Sequence, residues 1–513
     1  MFKSLKAKIE HIFNTKAYLQ PENLEKLDEK LSDSLLDNLV KIRELCDNSA
    51  DLLIKEVKVN NLDIAIIFCE GMINTETYSD ILIEPLMNLN LKVPTKENLL
   101  KWIRSYSVLT HDQKEFYTFE ELYSFMMSGF AVVLIDGFNI GIAFGMQGFN
   151  FRSISEPSSE MNIKGSREGF VEALRVNMSM IRRRVKSPVL KFELLTIGIK
   201  SKTSAALVYL TDSVSPEILR KIRYKLSKVN IDMVLDTGYL QPYLEERPLS
   251  IFSGVGITER PDTLCAKISE GRVAVLLDGT PFALIVPYLF SEHFQSLDDY
   301  CHRPYYALFI RTIKYISFFL TILLPGWYVA AASFHPETLP NSLLFNLAAS
   351  QESTPFPLML EALIIHFIYE LMHEAGLRLP RPVGHAVSIV GALVVGDAAV
   401  KAGIISSPMI MIVAVTAISS FVVPSLYEPI IALRFYFIII GGLLGLFGIS
   451  LSLCVLLVNL CAISPLGIPG TSPSSPFTLF GMRDVVFRLG WRQMGKKNLI
   501  IQDLPGSDSQ KTK

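Results

Sequence analysis

The chain has 513 residues, half of them hydrophobic, with 49 basic and 50 acidic side chains. That length accommodates roughly two to four domains, and the near-zero balance excludes the bulk basic field that draws a protein to nucleic acid. The charge is unevenly placed: residues 1–305 carry most of it and residues 306–465 almost none. This split predicts an α/β soluble domain followed by an all-α polytopic membrane domain.

Met1–Asn14 is basic but lacks the continuous apolar core of a secretory signal. The soluble region is therefore expected on the cytosolic side. The six cysteines, at 46, 69, 265, 301, 454 and 461, form no CxxC pair, so they read as free thiols rather than a zinc or disulfide framework. Glu22–Asn48 has helical apolar spacing and many charges, the pattern of solvated helices packing on the domain. Asp63–Phe68 reads as a strand, with helical patterns at Tyr78–Leu89, Leu99–Ile103 and Phe119–Phe125. Gly129–Phe144 is two apolar runs around Asp136-Gly137, a strong hairpin signal.

The same unit returns 142 residues later as Gly271–Pro287, with Asp278-Gly279 at its turn. Ala65–Phe68 moved by the same offset lands on Leu207–Leu210, and a helix follows at Pro216–Lys228. The soluble region therefore reads as two related α/β subdomains. Between them a helix within Ile163–Lys186 closes on Arg182, Arg183 and Arg184. That basic run fits a solvated helix end, or a contact with anionic headgroups or a partner subunit. No GxGxxG after a strand and no GxxxxGK[ST] occurs, so a phosphate cradle is not supported.

We divide the chain into an N-terminal helical extension (1–50), a first subdomain (51–155), a linker helix with the second subdomain (156–305), a transmembrane domain (306–465) and a polar, disordered tail (466–513). Apolar spans are expected at Tyr315–Phe334, Phe356–Met372, Val383–Gly403, Met409–Leu426 and Phe435–Ile463. Leu339–Ala349 is too short to cross and reads as interfacial or re-entrant. Arg303, Arg311 and Lys314 before the first span, and Arg378, Arg381 and Arg434 further on, fit the inside face. This scheme gives five crossings or, with a split segment, six, and leaves the side of the C-terminus open.

Polar groups at membrane depth are costly and mark ion paths or helix contacts. Glu361, His366, Glu370, His373 and Glu374 lie on the second span, with His366, Glu370 and His373 on one face. Glu370-x-x-His373 has no second copy in this half, so it is not read as a di-metal site; no metal or other cofactor is expected. On the third span Gly384, Ser388, Gly391, Val395 and Ala398 form a narrow seam of mostly small residues that continues to Ala402, beside Asp397. Such a seam suits close helix packing, within one subunit or around an axis that lines a pore. No nucleophile–base pairing is visible, and the chain is not read as an enzyme.

Several motifs resemble the A subunit of GerA-type spore germination receptors. They include Ser353-Thr354-Pro355-Phe356-Pro357, Glu374-Ala375-Gly376-Leu377-Arg378-Leu379-Pro380, Gly396-Asp397-Ala398-Ala399-Val400, Thr258-Glu259-Arg260-Pro261-Asp262 and Arg167-Glu168-Gly169-Phe170. The resemblance implies a protein of the inner spore membrane that works with a transporter-like, nutrient-sensing B subunit and a lipoprotein C subunit. It also implies a homo-oligomer forming a nutrient-gated cation channel. A non-conducting scaffold subunit is the alternative; a secondary transporter is disfavoured because the visible repeat lies in the soluble half. Relatives often carry an acid at 366 and a base at 373. Histidine at both positions raises the hypothesis that protonation alters the gate.

Overall fold

The computed structural model describes residues 29–47, 49–59, 62–89, 95–105, 112–148, 157, 160, 162, 164–352, 354–378, 396–494 and 499–508. Two five-stranded antiparallel sheets form the soluble part, ordered β1-β2-β4-β5-β3 and β6-β7-β9-β10-β8. The first holds β1 (Leu52–Val59), β2 (Leu62–Cys69), β3 (Gln113–Phe116), β4 (Phe130–Ile135) and β5 (Gly141–Gly145). The second holds β6 (Leu190–Ile197), β7 (Thr203–Leu210), β8 (Gly256–Thr258), β9 (Val273–Leu277) and β10 (Ala283–Val286). The central strands β4 and β9 are buried along their whole length, which is why they read as unbroken apolar runs rather than alternations.

The duplication is real, with one refinement. Ile64 faces Ile135 in the first sheet and Ala205 faces Leu277 in the second. The inner hairpins therefore differ by 142 residues, but β2 and β7 by 141. Both Asp-Gly turns do a second job besides reversing the chain. Asp136 Oδ1 accepts from the N–H of Leu35, first residue of α1 (Leu35–Cys46), and Asp278 Oδ1 accepts from that of Leu174, first residue of α4 (Leu174–Arg184). Gly137 and Gly279, at φ +88° and +92°, donate to the carbonyls of Asp33 and Glu172. Each turn thus caps the helix lying on its sheet, supplying an acceptor to an otherwise unsatisfied N–H. Leu31, Leu35, Leu39 and Ile42 pack into the first core. Residues 31–46 consequently belong to the first subdomain, not to a separate extension.

Each sheet is covered on both faces. In the first subdomain α1 and α3 (Phe119–Met126) cover one face, and α2 (Lys96–Ser105) with the helical stretch 75–87 covers the other. In the second, α4 and α6 (Pro261–Ser269) cover the face equivalent to that of α1. On the other face α5 (Pro216–Ser227) is joined by Leu466, Ile468, Ile501 and Leu504. The segment expected to be a disordered tail is therefore part of a core where it is described. Its Ser, Gly and Pro content sets tight turns around a few buried apolar anchors.

The remaining long helices are α7 (Pro304–Phe334), α8 (Asn341–Glu352), α9 (Leu358–Arg378), α10 (Ser407–Ser420) and α11 (Tyr427–Cys461). Helix α7 and the 424–461 stretch are long and apolar enough to cross a membrane. Helix α7 runs continuously through the buried Pro325.

Helix α11, expected as one very long span, is a hairpin. Gly445 takes φ +63° and ψ −153°, a left-handed conformation open to glycine. Tyr436 Oη then lies 3.0 Å from Ser452 Oγ; along a straight helix those residues stand about 24 Å apart. Both ends meet the second subdomain. Ser425 Oγ–H donates to the carbonyl of His293, and Ser250 Oγ–H donates to Asn459. The turn lies beside Phe334 and His335, at the far end of α7.

Candidate functional site

Helices α9, α10 and α11 bring together the polar side chains of the apolar half. Glu370 Oε1 accepts from Arg434 Nη1 at 2.7 Å, and Glu370 Oε2 accepts from the Tyr427 hydroxyl at 2.7 Å. That hydroxyl oxygen is also 2.6 Å from His373 Nδ1. Arg434 is fully buried and sits over the Tyr369 ring. Sequence reasoning placed Arg434 as a flanking charge on the inside face; here it is the buried counter-ion of Glu370. A buried guanidinium needs such a partner because removing either charge leaves the other unpaired in an apolar medium.

His366, one helical turn from Glu370 on the expected face, is also fully buried. Neither of its ring nitrogens has a hydrogen-bond partner among the described residues. The stripe therefore divides: Glu370 and His373 join a network, and His366 does not.

Glu361 plays another part. Its Oε1 accepts from the backbone N–H and the hydroxyl of Ser406, both at 2.6 Å. Ser406 is the N-cap of α10, so a carboxylate from a neighbouring helix meets the positive end of the α10 dipole. Glu374 pairs with Arg378 and Asp397 with Lys401, each an exposed contact within one turn of its own helix. Ala398 is exposed. Gly384, Ser388, Gly391 and Val395 lie outside the described residues. A close glycine contact that sequence reading missed joins α7 to the first arm of α11: Gly326 and Gly441 lie backbone to backbone, where a Cβ on either would collide. The signal was available as the glycine at 326 in one apolar run and the glycine-rich stretch 441–448 in the other.

Arg182, Arg183 and Arg184 are not a freely solvated helix end: each is paired with an acid of the soluble part. Arg182 is buried and donates to both carboxylate oxygens of Asp51, at 2.7 and 3.0 Å, and to the carbonyls of Ser187 and Leu190. This pair joins the first subdomain to the second. Burial alone would lower the Arg182 pKa, but Asp51 outweighs it and the net shift is upward. Arg183 and Arg184 both hold Glu168. Burial raises the Glu168 pKa, the two arginines lower it, and the net result lies below the usual carboxylate range.

A short 3₁₀ turn, Phe290–Phe294, ties the bundle to the second sheet. Glu292 anchors this turn to the sheet through Arg272 at 2.5 Å, through Lys267, and through the N–H of Leu289 at 2.8 Å. Burial works to raise the Glu292 pKa, but Arg272 and Lys267 bring it below the ordinary value. On the other side Phe294 stacks on Tyr315 with ring centroids 4.0 Å apart and meets Phe318 edge-on. A charged root and an aromatic wedge thus occupy opposite sides of one turn. His293, between them, is half-buried against Tyr288 and Phe290 with both ring nitrogens enclosed, and that desolvation pushes its pKa down to about 4. No cluster able to hold a metal ion occurs among the described residues.

A family model described as Bacillus/Clostridium GerA spore germination protein matches residues 40–500. Spore germination protein KA of Bacillus subtilis (strain 168) is 38% identical over 466 residues, covering 90% of this chain and 85% of that protein. Spore germination protein GerLA of Bacillus cereus is 33% identical over 454 residues, covering 87% of this chain and 91% of that protein. The crystal structure of the N-terminal domain of the A subunit of the Bacillus megaterium spore germinant receptor GerK3 aligns at 31% identity with a TM-score of 0.42, covering 51% of this chain and 98% of that chain.

Proposed function

We propose that this chain, which belongs to the Bacillus/Clostridium GerA spore germination protein family, is a multi-pass membrane subunit of a nutrient-responsive germination receptor. Copies of it assemble to form a cation channel whose opening triggers germination. The observation that carries this reading is the attachment of an apolar helical bundle to the second sheet through the Glu292 turn and its aromatic wedge. A displacement in the soluble half has a rigid route into the helices there.

The bundle has six crossings in this reading. Helix α7 leaves the soluble side and α9 returns, because Met359 lies against Gly442 near the far turn while Glu370 and His373 meet Tyr427 near the soluble end. Helix α10 runs from Glu361 back toward His373, where Phe421 lies 5.4 Å from the imidazole. Arg378 and Ser406, which flank residues 379–405, stand at opposite ends of the bundle. The two arms of α11 supply the last pair, each about 17 residues or ~25 Å of helix. The soluble domain and the C-terminal segment then share the cytosolic face. In the spore this is the core side of the inner membrane.

The channel axis is lined by the small-residue seam of Gly384, Ser388, Gly391, Val395 and Ala398, with Asp397 at its mouth. The B subunit, a transporter-like sensor, and the C subunit, a lipoprotein, complete the receptor. His366 and His373 bias the gate by their protonation. Replacing each by Gln is expected to change the pH profile of germination; an unchanged profile removes them from the gate.

Reconstitution in liposomes, with and without the partner subunits, tests conduction. The expected result is cation flux on addition of nutrient, with spontaneous leak raised by substitutions at Gly391 or Val395. Flux that is absent in the full complex, or indifferent to the seam, makes the chain a non-conducting scaffold.

A further inference from the structure

The C-terminal segment exposes more large apolar surface than its packing requires. Phe477, Leu479, Phe487 and Trp491 are each 60% or more exposed. Tyr305 and Phe309, in the first turns of α7, are exposed to the same degree, and Gly490 lies against Pro304, which brings Trp491 to that end of the helix. A water-facing surface rarely gathers this many large apolar side chains.

These side chains are not loose. Arg311, fully buried on α7, donates from Nη1 to Asp484 Oδ1 at 2.9 Å, to the Asp484 carbonyl at 2.9 Å and to the Val485 carbonyl at 3.0 Å. The Tyr300 hydroxyl donates to Asp484 Oδ2 at 2.7 Å. Arg488 donates to the carbonyls of Asp299, His302 and Tyr300 at 2.6, 2.7 and 3.1 Å. Trp491 Nε1–H donates to the Tyr300 carbonyl at 3.2 Å. Polar contacts that are largely buried therefore hold an apolar rim in place, with the apolar side turned outward.

Height along α7 identifies what the rim meets. Arg311 lies one helical turn before Tyr315, where the apolar run of α7 begins. Phe309 and Ile316 continue the exposed side of the same helix upward. The rim is thus continuous with a helix face that meets lipid in the reading above, and it sits at headgroup level. Aromatic rings with a polar edge favour that depth. Arg303 and Arg492, both exposed, flank it. The only acid between 477 and 492, Asp484, is occupied by Arg311 and Tyr300.

We propose that residues 477–491, together with the first turns of α7, form an interfacial collar that lies in the phospholipid headgroup layer on the soluble-domain side. It rests on the membrane-spanning reading of α7. The collar sets the depth of the bundle and holds the second subdomain against the bilayer surface.

The chain has three tryptophans, Trp102, Trp327 and Trp491, one in the first subdomain, one within the apolar run of α7 and one in the collar. Full-length protein keeping one tryptophan at a time, the other two changed to Phe, is placed in nanodiscs. The lipid is phosphatidylcholine brominated near the headgroup or near the bilayer centre. Trp491 is expected to lose fluorescence most with headgroup-side bromine, Trp327 most with central bromine, and Trp102 with neither. Trp327 quenched while Trp491 is not overturns the collar and leaves the spanning helix intact; another protein chain then covers the rim. Neither quenched overturns both. If a double substitution fails to fold, W491F alone decides: loss of the headgroup-quenched component supports the collar, and its persistence overturns it.

Discussion

The two subdomains have one architecture, and they differ where the second meets the bundle. Phe130, at the start of β4, packs in the first core. The equivalent residue 142 positions on is Arg272, buried and bonded to Glu292. On the opposite face α2 covers the first sheet with Leu99, Leu100 and Ile103. The second sheet receives Leu466, Ile468, Ile501 and Leu504 from the far end of the chain. One copy closes on itself. The other exchanges an apolar residue for a charge and leaves part of its cover to the returning tail. Duplication supplied the platform, and a few substitutions made one copy the foundation of the helices.

The largest predicted effect separates the equivalent positions. Arg272→Met leaves Glu292 buried with one partner fewer and is expected to cost about 4 kcal/mol in denaturant unfolding. Phe130→Met keeps an apolar side chain and is expected to cost about 1 kcal/mol. Equal losses would break the comparison. Next, Ile501→Ala removes a fully buried anchor of the tail and is expected to cost roughly 3 kcal/mol. Hydrogen exchange should localise that loss to β6–β10 and spare β1–β5; a loss spread over both sheets would contradict the assignment of the tail to the second.

His293 gives a pH-dependent effect of similar size, confined to acid. Burial takes its pKa from 6.5 to about 4, so the folded state keeps the ring neutral where the unfolded state binds a proton. Stability contributed above pH 6.5 is lost as the pH falls toward 4, by up to about 3 kcal/mol. His293→Phe should flatten the acid limb of the stability curve; an unaltered limb would mean that the proton goes elsewhere. The smallest effect tests likeness. Asp136→Ala and Asp278→Ala remove the equivalent caps of α1 and α4, and each should cost about 1 kcal/mol by thermal unfolding. A marked inequality would show that the turns no longer serve the same purpose.

What was legible in the sequence follows from how each feature is built. The inner hairpins showed because a fully buried strand is an unbroken apolar run and the Asp-Gly turn is explicit. The outer strands did not. Strand β1 carries Lys55, Glu56 and Lys58, all three exposed, as an edge strand does, and it resembles a charged loop. The reversal at Gly445 was hidden because its turn has no polar residues: Gly441, Gly442 and Gly445 sit in a continuous apolar run. The tail looked disordered because its anchors in the second core come as two isolated pairs, Leu466 with Ile468 and Ile501 with Leu504, each too short to show a period. Arg434 was misplaced because a charge near the end of an apolar run is ordinarily a flank; only the distance to Glu370 shows it is inside. The polar stripe on α9 was legible as a face, and the partner chosen by each of its members was not.

Helix α11 returns the chain to the subdomain from which α7 departs. Side-specific thiol labelling in sealed vesicles tests it directly. With the exposed Cys301, Cys454 and Cys461 changed to Ser, single cysteines are placed at Asp232 in the second subdomain, Glu337 beyond the end of α7 and Ser474 in the tail. Positions 232 and 474 are expected to react from one side of the membrane and 337 from the other. Labelling of 474 together with 337 would require an odd number of crossings and would rule out the return of α11.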